Sequence, residues 1–382
     1  MRRNQLLSLA RQLLDQPTAP YHEEAVARFI REFALARGLP VRTDKFGNLL
    51  VRYRRGRGHR PVVFMAHMDH PGFEVIEDSE GGFAMTRFLG NVPREYFRIG
   101  ARVRVIGGES EQVARIWSLP DVDWAREKLV RLRVRKPVRR GEFAMWDLPA
   151  VKCNHSVIRS RACDDLAGCL TLLGLLEELA RNRVSAHVSA VFTRAEEVGF
   201  LGAMGAIKSG LIPSSAVLVS IETSKELPHA PVGAGPIIRV GDRATTFDAR
   251  VTMFLEDVAS RLAKSDRRFR YQRRLMDGGT CESAVLYHNG FRAGAVCIAL
   301  GNYHNQGAGG RIREEYVDIG DLQQTVQLFV EVARRSNDFE RVPRLLKRRL
   351  DLMFERGRRQ LLSTAPTLRV HASAAGPIWA AG

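Results

Sequence analysis

Seven side chains of this sequence are of types that hold metal ions or move protons. Each stands where an apolar run ends or a helix begins: His67 and Asp69 after PVVFMA, Asp164 heading DDLAGC, Glu196 and Glu197 after SAVFTRA, Glu222 after AVLVSI, and His304 after AVCIALGNY. Two imidazoles and several carboxylates form a donor set suited to two ions of zinc, or of cobalt or manganese. One carboxylate shared between the ions leaves each with two further protein ligands and an open position, an arrangement able to polarise a carbonyl and activate a water together.

The local spacings have physical reasons of their own. Residues two apart on an extended chain project the same way, so Asp69 can accept the second N–H of His67 and fix its tautomer. Neighbours on a chain leaving a strand point apart, so one of the Glu196–Glu197 pair can ligate while the other faces a water as general base. Taken singly, each motif has an ordinary reading: surface residues for the HxD, a solvated helix start for the Glu pair, an N-cap for Asp164. Taken together they sit at strand ends and helix starts of one pattern, which is where open α/β sheets collect their ligands.

The elements that must position them can be read from periodicity. Helical spacing over 3–14 and 22–37 predicts two opening helices, with the acids of His22-Glu23-Glu24 favourable to the second helix dipole. VRTDKFGNLLVRY reads as a hairpin turning at Gly47, and PVVFMAH as a buried strand. Alternation resumes later with helices at 165–181, 199–210, 251–263, 281–288 and 317–335 and strands at 186–193, 215–221 and 293–300. The expectation is an α/β fold, a mixed and mostly parallel sheet covered by helices on both faces. Between about 81 and 149 the texture changes to short Val-, Arg- and Phe-rich runs parted by Gly and Pro, which predicts a separate small β unit.

Length and composition bound the rest. The chain has 382 residues, 45% of them hydrophobic and 26% charged, long enough for two domains and ordinary for a globular protein. Cys153, Cys163, Cys169, Cys281 and Cys297 form an odd set without a CxxC pair, which favours reduced thiols and a cytoplasmic setting over a disulfide framework. The N-terminus lacks the pattern of a signal peptide, and no apolar run is long enough for a membrane span. The net charge of +17 is densest at 52–60 and 341–359, without interleaved aromatics, so a solvated basic face is expected and nucleic acid is not the expected partner.

The stretches AHMDHPGFEV at 66–75, RACDDLAGC at 161–169, FTRAEEVGFLGA at 192–203, SIET at 220–223 and the Tyr303-His304 region resemble the M42 family of co-catalytic metallo-aminopeptidases, related to the M28, M20 and M18 peptidases. The resemblance covers about residues 5–337. It implies that His67 and Glu222 bind a first metal, Glu197 and His304 a second, that Asp164 bridges, that Glu196 is the base and that Asp69 supports His67. It also implies a zinc-peptidase-like fold with an inserted β-barrel-like domain at 77–157, flanked by catalytic parts at 1–76 and 158–340 and followed by a basic tail at 341–382. Homo-oligomers and peptide substrates with a free N-terminus are implied as well. Glu222 stands where Asp is usual, Leu166 where Arg is common, Cys281 where an acid is frequent, and NYHNQ departs from the usual neighbourhood of the last His. Two rival functions stay in view: hydrolysis of another amide such as an N-acyl amino acid, and a non-catalytic protein using its basic surface. His70 is expected beside the site, whereas His22, His155, His187 and His288 carry no motif.

Overall fold

The computed structural model describes residues 1–107 and 111–365, so the part of the expected basic tail from 366 to 382 lies outside the described residues. Two helices, α1 (Arg3–Leu13) and α2 (Glu24–Leu35), lead into a hairpin of β1 (Val41–Thr43) and β2 (Leu49–Arg55), then into the buried strand β3 (Val62–His67). Gly47 takes a φ of 87° in the hairpin turn, a conformation costly for any residue with a Cβ.

Next come β4 (Gly72–Val75), β5 (Phe83–Leu89), β6 (Arg102–Ile106), β7 (Glu111–Ser118), β8 (Leu129–Arg133) and β9 (Phe143–Trp146), which close into a six-stranded barrel in the order β4-β5-β8-β7-β6-β9. Phe73, Phe88, Phe97 and Trp146 fill one end with ring centroids 4.8–6.1 Å apart. Such aromatic contacts add about 0.5–1.5 kcal/mol each beyond burial, enough to give a small barrel a core of its own. The barrel thus spans 72–146 rather than the expected 77–157. GFEV follows closely on the strand that ends in His67 and pairs with both β5 and β9, while β10 (Lys152–Cys153) and β11 (Val157–Ser160) belong to a different sheet.

The second half supplies α3 (Leu166–Arg181), β12 (Ala186–Thr193), α4 (Leu201–Lys208), β13 (Val217–Lys225), β14 (Ile237–Asp242), α5 (Ala249–Ser265), β15 (Gln272–Met276), α6 (Glu282–His288) and β16 (Ala293–Leu300). After two short strands, β17 (Gln306–Gly307) and β18 (Arg311–Ile312), the chain runs through β19 (Glu315–Asp318), α7 (Ile319–Arg334) and α8 (Arg341–Ser363). The main sheet has the order β1-β2-β12-β3-β13-β16-β14-β15. Its centre, β12-β3-β13-β16, is parallel, and antiparallel pairings flank it. The sheet is mixed, as expected. Strands β14 and β15 were not anticipated: IIRVGD carries an arginine where a core strand should be apolar, and QRRLM is an edge strand with three exposed residues.

Strict alternation explains the two covered faces. Val62, Phe64 and Ala66 pack towards α1, α3, α5 and α7, whereas Val63 and Met65 pack towards α4 and α6. Strand β19 pairs with β11 in a small three-stranded sheet beside the main one. Among the described residues, no helix is long and apolar enough to cross a membrane.

Candidate metal centre

At the carboxyl edge of the parallel strands the fold brings all seven expected residues into one buried place. His67 ends β3, Glu222 lies within β13, Glu196 and Glu197 follow β12, and His304 sits in the turn after β16. Asp164 lies at the centre of the group. Its Oδ1 is 3.4 Å from His67 Nε2, and its Oδ2 is 3.4 Å from His304 Nε2. Glu222 joins the first side at 3.4 Å from His67 Nε2, and Glu197 joins the second at 3.1 Å from His304 Nε2. Glu196 stands at 4.0 Å from His67 Nε2.

Each histidine presents the same nitrogen to the centre because the other is engaged. His67 Nδ1 faces the carbonyl of Asp69 at 3.2 Å and its carboxylate at 3.4 Å, and His304 Nδ1 faces the Asn91 carbonyl at 3.0 Å. A ring whose Nδ1–H donates to oxygen keeps Nε2 as a lone-pair donor, the form a metal ligand needs. The centre also fits cations by charge. Asp164, Glu196, Glu197 and Glu222, if ionised, bring four negative charges into a site nearly free of solvent, which two divalent ions would balance. Glu197 Oε1, moreover, lies 3.1 Å from His304 Nε2 yet has no hydrogen-bond partner among the described residues.

Without that compensation the groups disturb one another strongly. Burial, then the neighbouring Asp164, pushes Glu222 up to about 8. Burial also lifts Glu196, helped by Glu222, Glu197 and Asp69 and opposed by His67. For Asp164, burial works against the charge, but the His304 and His67 imidazoles overcome it and hold the carboxyl below its usual range. The two histidines are raised despite burial, His67 chiefly by Glu196 and His304 chiefly by Glu197.

Asp69 does more than orient His67. Its two oxygens accept from the backbone N–H groups of Glu196 at 3.0 Å and Glu197 at 3.1 Å, so a residue at the end of β3 fixes the turn after β12. The N-cap of α3 is Asp165, whose carboxylate accepts from Gly168 N at 3.2 Å. Asp164 is thereby free of the capping role and faces the centre. His70, expected nearby, is buried with its ring nitrogens 2.6 Å from the Asp164 carbonyl and 3.0 Å from Asn305 Oδ1.

Three further residues hold the site and escaped sequence reasoning. Glu315 accepts from His304 N at 2.7 Å through one oxygen, and from Cys163 N at 2.7 Å and Asp164 N at 3.0 Å through the other. Glu23, assigned from sequence to the helix dipole, is instead fully buried. It accepts from Ala195 N at 2.9 Å and from Arg194 Nε at 2.7 Å. Ala195 and His304 have φ values of 49° and 53°, strained by about 1–3 kcal/mol each. A hydrogen bond contributes about 0.5–1.5 kcal/mol net, so each buried carboxyl group helps to offset the strain of the residue it grips.

The third is Arg239 on β14, buried to 2% exposure at the wall of a cavity of about 240 Å³ that opens beside the centre. Its Nη1 donates to Ser224 Oγ at 3.0 Å, its Nη2 reaches the Met276 carbonyl at 3.4 Å, and its Nε has no hydrogen-bond partner among the described residues. No carboxylate pairs with it among the described residues. Lys225, Phe200 and Tyr303 line the same cavity. As for the departures from the expected motif, Leu166 is buried in the core, and Cys281 takes the N-cap position of α6 with its N–H donating to Asp242 at 3.1 Å.

A family model described as M42 glutamyl aminopeptidase matches residues 131–328. The fold resembles aminopeptidase APDkam598 of Desulfurococcus kamchatkensis, with a TM-score of 0.76 and 22% identity over 89% of this chain and 98% of that one. The TET1 peptidase of Pyrococcus horikoshii, which can assemble into a tetrahedron or a large octahedral shell, gives a TM-score of 0.72 at 19% identity over 86% and 99% of the respective chains. Among curated proteins, SgcX of Escherichia coli, named as a candidate aminopeptidase, is 25% identical over 237 residues, 56% of this chain and 62% of its own length.

Proposed function

The chain belongs to the M42 peptidase family, and from that membership we propose that it is an aminopeptidase removing single residues from the free N-terminus of peptides with the aid of two divalent cations. The observation that carries this reading is the placement of Asp164, whose two oxygens face separate histidine–carboxylate pairs. His67 and Glu222 would hold one ion, His304 and Glu197 the other, and Asp164 both, with zinc, cobalt or manganese suited to the donors. Bound there, the ions supply Lewis acidity towards a peptide carbonyl and make a water easier to deprotonate.

The protein's own groups do the rest. Glu196 takes a proton from the attacking water and returns it to the leaving amine. Asp69 keeps that base in register with His67 through the two backbone amides it grips. Arg239 and Lys225 give the cavity a positive wall, which supports a preference for peptides beginning with Asp or Glu. Assembly with further copies of the chain, as in the TET1 peptidase, is part of the proposal.

The test is a panel of peptides, with free and with blocked N-termini, offered to chelator-treated protein with zinc, cobalt or manganese restored. Metal-restored cleavage of unblocked peptides alone is the expected result. Cleavage of blocked substrates would transfer the reading to another amide. Glu196→Gln should lower turnover at least about 10²-fold while metal content, read by elemental analysis, stays intact.

A further inference from the structure

Helix α8 begins firmly seated. Phe339 and Val342 are buried against the body, and Glu340 pairs with Arg292 at 2.8 Å, Arg60 at 3.2 Å and Arg250 at 4.0 Å. Then contact stops. Every residue from Arg344 to Ser363 is exposed, a run of about 30 Å at the helical rise.

This exposed stretch is amphipathic. Leu346, Leu350, Met353, Phe354, Gly357 and Leu361 recur at helical spacing on one face, and the first four and Leu361 are all at least 46% or more exposed. Lys347, Arg349, Arg356 and Arg358 flank that stripe, and Arg344, Arg348 and Arg359 lie on the opposite side together with the exposed Leu345, Leu352 and Leu362. The helix as a whole has eight basic residues against two acidic ones.

We propose that α8 is a docking element for anionic lipid surfaces, lying flat with Leu350, Met353, Phe354 and Leu361 in the headgroup boundary and its arginines on lipid phosphates. Charge complementarity favours this occupant, because the basic residues flanking the apolar stripe reach lipid phosphates while the stripe enters the headgroup boundary. A second copy fits less well. A coiled-coil seam through Leu346, Leu350 and Met353 would next use Gly357 and Gln360, neither of them an apolar knob, and would oppose two strongly basic helices. A nucleic acid would neutralise the charge but leave the Leu, Met and Phe side chains in water. Because no bilayer span is involved, the proposal is compatible with the finding that no helix among the described residues is long and apolar enough to cross a membrane.

The full chain should sediment with vesicles of phosphatidylcholine mixed with phosphatidylglycerol, and not with phosphatidylcholine alone, and salt should release it. Leu350→Glu with Phe354→Glu should reduce vesicle binding roughly tenfold or more. Arg348→Glu with Arg349→Glu should do the same through charge. Thermal unfolding of both variants should match the parent, since none of the four residues touches the body. Absence of sedimentation with anionic vesicles would overturn the proposal. So would binding that survives the apolar substitutions and is competed by RNA, or a doubled mass in light scattering that the apolar substitutions abolish without any vesicle binding.

Discussion

The carboxylates around Asp164 and the arginines of α8 are both dense sets of like charge, yet they are built in opposite ways. In the first set the supporting acids are buried, and backbone N–H groups hold Asp69, Glu315 and Glu23 in place. In the second, the side chains stand in solvent and only the first turn touches the body. Buried charge has to be compensated by fixed donors or cations, so removing one partner is costly. Exposed charge is screened, and each residue contributes little to the fold. The difference teaches where substitutions will act on stability and chemistry and where they will act only on encounters.

Substitutions can break or sharpen that contrast. The largest effect is expected from Asp164→Asn, which removes the one carboxylate that faces both histidines; metal affinity measured by competition with a chelator should fall more than roughly a hundredfold, and an unchanged affinity would remove Asp164 from the centre of the site. Glu315→Gln leaves every proposed ligand in place but weakens the grip on His304 and Asp164. A loss of roughly 10–100-fold in metal affinity, with cooperative unfolding retained, is expected from the same titration.

A smaller effect concerns a buried acid far from the centre. Asp321 in α7 accepts from Gly233 N at 2.8 Å and Gly235 N at 2.7 Å, and burial pushes its carboxyl up from 3.8 to about 6. Between these values the folded chain holds a proton that the unfolded chain has released, so this contribution to stability declines as pH rises from about 4 to 6, by on the order of 2–3 kcal/mol. Denaturant unfolding across that window should show the decline in the parent and a flatter profile in Asp321→Asn. The smallest effect is at the solvated end: Arg358→Ala with Arg359→Ala should change unfolding free energy by less than about 0.5 kcal/mol per residue.

Which parts were legible in the sequence follows the same division. His67, Asp164, Glu196, Glu197, Glu222 and His304 could be collected because each follows an apolar strand or heads a helix, a signal that survives without coordinates. Glu315 carries no such mark, lying in RIREEYVD among other charged residues, and only the pairing of β19 with β11 brings it under Asp164. Arg239 carries no motif and stands in a strand that was not anticipated; β14 lies between β15 and β16, and the side chain is buried there. Glu23 looked like a helix-dipole acid because local spacing does not reveal the loop, more than a hundred residues on, that packs over it. A small β unit was anticipated from texture and its barrel form from the family resemblance; its first strand was missed because GFEV is too short to stand apart from the strand before it.

The reach of Asp69 and Glu315 across the chain bears on the order in which the molecule assembles. Asp69 grips amides 127 and 128 residues away, and Glu315 grips two amides 151 and 152 residues away and a third only 11 residues away. Contacts so distant in sequence reward the chain only after the intervening loops are closed by pairing of the central strands. The site is therefore among the last features to form during folding, and the nascent chain presents scattered carboxylates rather than a ready trap for ions. In refolding experiments, zinc added at the outset should leave the main rate unchanged and alter only the yield of the final, slower step.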